Sequence, residues 1–142
     1  MDLSKAAVFT RVSNAVAAGT SDVESSSVDM KGFQSVAFTV AMGAITTAAV
    51  TSAKLQGSSD NSSFSDLEGT GVTIADDDDN QIFVLDIDNP RHRYIKCVVD
   101  RGTQNAVVDS IVAAQYGAQI EPVTQPATTT VEYNHAPAAG TA

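Results

Sequence analysis

The chain has 142 residues, a mass of 14.7 kDa, and 17 Asp and Glu against 8 Lys and Arg, giving a formal net charge of −9. That length suits one domain burying about two-thirds of the surface its unfolded chain exposes, and so negative a field opposes binding to nucleic acid phosphates. One cysteine excludes an internal disulfide or a thiolate metal cluster, and no apolar run reaches the roughly 18 residues needed to cross a bilayer.

The N-terminus carries Asp2 and polar breaks at Ser4, Thr10, Ser13 and Asn14. It therefore lacks the basic-then-apolar plan of a signal peptide. Asp2 to Val16 is the longest helix candidate, and Thr10, Val12 and Val16 argue against it. Hydrophobic residues make up 43% of the chain but aromatics only 6%, and Trp is absent. The core must then be built from small and β-branched side chains, which favours sheet over helix.

Two-residue alternation marks the strands. In SVAFTVAM, Val36, Phe38, Val40 and Met42 oppose Ser35, Ala37, Thr39 and Ala41. VTSAKLQGS is a weaker case, with Thr51, Ala53 and Leu55 on one face. QIFVLDI sets Phe83, Leu85 and Ile87 together, and YIKCVVD sets Ile95, Cys97 and Val99 together. From Val107 to Gly117 the chain is apolar on both faces apart from Asp109, Ser110 and Gln115. That suits a central strand covered on both sides, although pattern alone does not distinguish it from a short helix. Turn residues separate these runs, and amphipathic helices between them are absent, so the expected fold is all-β. The architecture it implies is a single β-sandwich or jelly-roll-like antiparallel domain over residues 19–120. Residues 1–18 form an N-terminal arm or first strand, and residues 121–142 an extended tail rich in Pro, Thr and Ala. An arm with so little apolar content seldom orders itself, so the tail is expected to lie against a neighbouring subunit.

Four candidate sites stand out. TIADDDDNQ places Asp76 to Asp79 in a row, but a helix-loop-helix calcium loop starting at Asp76 would need Gly at Gln81 and Glu at Ile87. A solvated turn without metal is expected, a looser calcium site being the alternative. In GSSDNSSFSDLEG, Ser58, Asp60 and Asn61 are placed to bond their own backbone, with Phe64 tucked beneath the turn. Neither His92 nor His135 lies in a nucleophile motif, and Cys97 falls on the presumed buried face. No enzymatic activity and no cofactor are expected. Finally, Arg91, Arg93, Lys96 and Arg101 gather within eleven positions of an acidic chain. They either grip an acidic partner or offset Asp86, Asp88 and Asp100 on neighbouring strands.

Three stretches, AAGTSDVESSSVDMKGFQSVAFTVAMG, LQGSSDNSSFSDLEGTGVTIADDDDNQIFVLDI and NPRHRYIKCVVDRGTQNAVVDSIVAAQYGA, span most of residues 17–118. Together they resemble a family of small proteins encoded beside the head genes of tailed bacteriophages and prophages, some of them capsid decoration or cement proteins. The resemblance implies a β-rich, non-enzymatic virion protein made in the host cytoplasm. It would bind the outside of the shell, often as a trimer, with the major capsid protein and copies of itself as partners and neither nucleic acid nor membrane. A tail or head-to-tail connector component is the nearest alternative. A carbohydrate- or host-binding module stacking sugars on Tyr94, Tyr116 or Tyr133 is a second. On the decoration reading, segments around Ala6 to Arg11 and Thr128 to Tyr133 act as arms that pair with a neighbour. The interface residues it selects are Arg91, Arg93, Arg101, Val131 and Tyr133.

Overall fold

The structure, a computed structural model, describes all 142 residues. One helical turn, α1 (Leu3–Ala6), is followed by eleven strands: β1 (Val8–Ser13), β2 (Val16–Gly19), β3 (Val23–Glu24), β4 (Val28–Asp29), β5 (Phe33–Ile45), β6 (Thr51–Ser58), β7 (Ser65–Asp66), β8 (Val72–Ile74), β9 (Ile82–Asp88), β10 (Tyr94–Asp100) and β11 (Ala106–Ala118). They form two antiparallel sheets. Sheet A has the order β1-β11-β5-β9, with β2 also on β11; sheet B has the order β3-β10-β6-β7, with β4 on β10 and β8 on β6. No helix is long and apolar enough to cross a membrane.

The alternation seen in the sequence decides which faces meet. Register pairs Gln115 with Val36, Ala113 with Phe38 and Ile111 with Val40, and then Phe38 with Leu85, so one face of sheet A is a continuous apolar layer. Sheet B answers with Leu55 opposite Cys97 and Ala53 opposite Val99. Phe38, Val36, Val40, Ile111, Leu55, Ile95, Cys97 and Val99 belong to one buried cluster. Each Val, Leu, Ile or Phe so placed contributes about 1.5–3 kcal/mol over an exposed one. The all-β sandwich expected from the sequence is therefore the observed fold.

Two expectations need correction. The segment Ala6 to Arg11 is not an arm reaching for a neighbour but leads into the first strand, the other reading of residues 1–18: Ala6, Ala7, Val8 and Val12 are buried, and β1 pairs with β11 from Val8↔Gln115 to Arg11↔Val112. Strand β11 is central, but its outer face is not covered. Ala106, Val108, Ile111, Ala113 and Gln115 are buried, whereas Val107, Val112, Ala114 and Tyr116 are only half-buried.

Candidate interaction surfaces

The β4–β5 and β9–β10 turns meet at one corner of the sandwich. The Met30 amide donates to the Arg93 carbonyl at 2.7 Å and the Asn89 amide to the Gln34 carbonyl at 3.0 Å. Beneath them, the buried Gln115 Nε2 donates to the Asp29 carbonyl at 2.7 Å, tying sheet A to β4. The ring of His92 lies over Gly57, where a Cβ would come within 2.8 Å of it, so only glycine leaves room. Arg93 grips Asp29 through two hydrogen bonds of 2.9 Å. That guanidinium, helped by the Lys31 amide, holds the Asp29 carboxyl below its usual range. Arg91 is exposed and makes no ion pair. Arg91 and Arg93 thus sit together at an accessible corner, while Lys96 pairs with Glu24 at 2.8 Å further along β10.

Arg101 does not join them. It is 3% exposed. Its Nε donates to the Ser21 carbonyl at 2.6 Å, and Nη1 to the Ala17 and Ala106 carbonyls at 2.7 and 2.9 Å. Gly19 admits the guanidinium, since a Cβ there would lie 2.9 Å from Nη2. The side chain is a clamp on backbone oxygens, with no surface to offer a partner, and its place among interface residues is withdrawn.

The aspartate turn also works on the backbone. Asp76 accepts from the Ala48 amide at 2.6 Å, Asp78 from Ala75 at 2.9 Å and Asp79 from Ile45 at 2.7 Å. Asp77 is exposed and bonds to nothing. In the turn from Gly57 to Gly69, Asp60 accepts from the Ser63 and Ser62 amides and the Ser58 hydroxyl, which pulls its carboxyl down to about 2. Asn61 instead receives the Ser27 hydroxyl from another loop. Phe64 is half-buried under the Lys96 ammonium, 4.4 Å from its centroid. The Cys97 thiol is buried in the core, which pushes it up to about 12. Its thiolate is therefore not a ready nucleophile.

The tail docks on the chain's own N-terminus, correcting the expectation that a neighbour orders it. The Val123 amide donates to the Lys5 carbonyl at 2.9 Å. Gln125 Oε1 accepts from the Phe9 amide at 2.9 Å, while its Nε2 donates to the Ser4 and Ala7 carbonyls at 3.0 and 2.7 Å. Thr129 donates to the Phe9 carbonyl at 2.7 Å. Gln125 and Thr129 thereby satisfy the outward amide and carbonyl of Phe9 on β1, part of an edge that would otherwise invite pairing. Tyr133 donates to Asp2 at 3.0 Å and lies under Lys5, 4.0 Å from its ring centre. Val131 is 41% exposed and forms no strand. The stacking faces suggested for tyrosines are partly taken: Arg93 lies over Tyr94, and the Tyr116 hydroxyl donates to Asp86 at 2.6 Å.

A surface that the strand patterns did not single out is the outer face of sheet A. Register puts Phe9, Ala114, Ala37 and Asp86 in one row across the four strands, and Arg11, Val112, Thr39 and Val84 in the next. Ile82 and Val84, on the edge strand β9, are 64% and 58% exposed. At the β1 side the face runs into an apolar hollow of about 380 Å³ whose lining includes Met1, Leu3, Phe9, Ala114 and Tyr116. Strand β9 carries Asp86 and Asp88 along its free edge, charges that discourage edge-to-edge pairing. The signal was present in the sequence as the double-sided apolarity of β11.

No protein-family model and no curated protein matches the chain. Among solved structures it is similar to the crystal structure of PBSX exported protein XepA, with a TM-score of 0.56 and 15% identity over 96% of this chain and 45% of that one. The likeness is one of fold. The chain spans less than half the length of that protein.

Proposed function

We propose that this chain is a non-enzymatic structural protein of a tailed-phage particle, decorating and bracing the capsid by laying the outer face of sheet A on the shell's exterior. The observation that carries the reading is that face itself, where Phe9, Ala114, Val112, Ala37, Val84 and Ile82 make an apolar band interrupted by Thr39 and bordered by Arg11 and Asp86, with Ile82 and Val84 64% and 58% exposed. Soluble single chains seldom leave a contiguous apolar area of more than a few hundred Å² open to water unless it meets a partner. The phage context is supported by the sequence resemblance to head-region proteins, and the fold is shared with PBSX exported protein XepA. A stiff sandwich with tied-down termini suits a brace, since little order has to be gained on docking. On this reading the major capsid protein is the partner, with copies of this chain grouped at local symmetry positions.

Mass spectrometry of purified particles, with copies counted against the major shell protein, tests it. Decoration requires copies on the order of hundreds, whereas about six or twelve would indicate a connector ring. A chain with Ile82→Asp and Val84→Asp should fold, since both side chains are exposed, and should be missing from the particles. Undiminished occupancy by that variant would reject the outer face as the docking surface.

A further inference from the structure

We infer that the corner between the β4–β5 and β9–β10 turns is an oxyanion-binding pocket, with Lys31 and Arg91 as its charged ligands. The hollow is about 440 Å³, and its lining includes Lys31, Gln34, Asn89, Arg91, His92 and Arg93. It rests on observations separate from those behind the shell-docking reading.

The disposition of the cations carries the argument. With 17 carboxylates available to 8 basic side chains, each cation has ample chance of a partner. Lys5, Lys54, Arg93 and Lys96 take one each, at 2.8 to 3.0 Å, and Arg101 is occupied by carbonyls. Arg11, Lys31 and Arg91 remain without an ion pair, and two of these three line the same hollow although sixty positions separate them in sequence. Two carboxylates at the corner add negative charge there without forming an ion pair with either. Asp29 is held bidentately by Arg93, and Asp88 accepts from Ser35 at 2.5 Å, Asn89 at 3.0 Å and Gln34 at 3.3 Å.

The pocket is also stiff. Gly32, at φ +88°, and Asn89, at φ +48°, set the two turns. The Gln119 amide donates to the Gly32 carbonyl at 2.9 Å, and the Phe33 amide to Met30 at 3.0 Å. The turns fix where the two side chains leave the backbone, while the exposed ammonium and guanidinium themselves become ordered on the ligand.

The chain's overall charge does not override this local field. At physiological ionic strength the screening length is about 8 Å. The aspartate turn lies beyond the far end of β9, seven residues or about 20 Å away. With Arg93 offsetting Asp29, Lys31 and Arg91 outweigh Asp88 by one positive charge at the corner, so a small oxyanion between them is attracted, whereas an extended polyanion would run out of the pocket onto acidic surface. A planar guanidinium and a mobile ammonium together suit a single carboxylate or phosphoryl group.

Chemical-shift titration of the isotope-labelled chain tests the assignment, with sodium phosphate, sodium glutarate and sodium chloride as separate probes at matched ionic strength. Phosphate or glutarate should give saturable shifts at the amides of Lys31, Gly32, Gln34 and Arg91, and the tighter of the two identifies a phosphoryl or a carboxylate source. The double substitution K31A/R91A should weaken that binding by about tenfold or more, while Arg11→Ala leaves it unchanged. Three results would each overturn the proposal: shifts equal to those with chloride, shifts that persist in K31A/R91A, or equal shifts around Arg11, which would mean general charge attraction only.

Discussion

Arg91 lies three residues ahead of strand β10 and Arg101 one residue past its end, and their surroundings are opposite. Arg91, ahead of Tyr94, is exposed and makes no ion pair; Arg101, after Asp100, is buried with three carbonyl oxygens around its guanidinium. The Arg101 end is where β2, the loop before β3 and the start of β11 bring backbone oxygens together, and Gly19 leaves the space for a cation to reach them. At the Arg91 end backbone pairs such as Met30 to Arg93 and Asn89 to Gln34, with Gln115 on the Asp29 carbonyl, give the Arg91 guanidinium no carbonyls to hold, and it faces outward. The lesson is that convergence of unpaired carbonyls, rather than local charge density, decides whether a cation becomes framework or surface.

Substitutions at the two ends should therefore differ sharply. Arg101→Ala leaves three inward carbonyls without donors and should cost about 3 kcal/mol in urea unfolding; Arg101→Lys should recover little, because a single ammonium does not reproduce the fork. If Arg101→Ala unfolds at the wild-type midpoint, the contrast fails. Next in size is Gly102→Ala, about 2 kcal/mol. Gly102 has φ +41°, and an added Cβ would overlap the Val50 carbonyl oxygen. At the other end, Gln115→Leu removes the donor to the Asp29 carbonyl and should cost about 1–2 kcal/mol, with a weakened response of the corner to phosphate in the same titration. Arg91→Ala should leave stability within about 0.5 kcal/mol.

The smallest effect is one of pH. Asp60 has a folded value near 2 against the ordinary 3.8, because the Ser63 and Ser62 amides favour its charged form. A lowered carboxyl stabilises the fold fully above its unfolded value, and that contribution is lost as pH falls through the folded one. The stability difference between the native chain and Asp60→Ala should accordingly be steady near neutrality, shrink below pH 3.8 and level off near pH 2. A difference that grows on acidification would assign the Ser58 to Ser63 turn a different support.

The sandwich was legible because burial on one face forces a period of two, and SVAFTVAM, QIFVLDI and YIKCVVD obey it. Val8, Thr10 and Val12 carry the same alternation, but polar Ser4 and Lys5 just before them make the segment look like an arm. The clamp at Arg101 left no such trace, since its partners are main-chain oxygens 5, 80 and 84 residues away. The tail's docking was hidden for the same reason: Gln125 reaches Phe9 across 116 positions. Double-sided apolarity in β11 was visible, yet it fits equally a strand sandwiched between layers and one that leaves a face for another molecule. Lys31 was overlooked at the basic corner because only folding brings it to Arg91.

Cys97 gives the protein a clock of its own. As the chain's one sulfhydryl, sealed between the sheets and held in its unreactive protonated form, it meets an alkylating reagent only when the two layers part. Where labelling in native buffer no longer speeds up with added reagent, its pace reads the frequency of that parting, with no dye, tag or engineered probe.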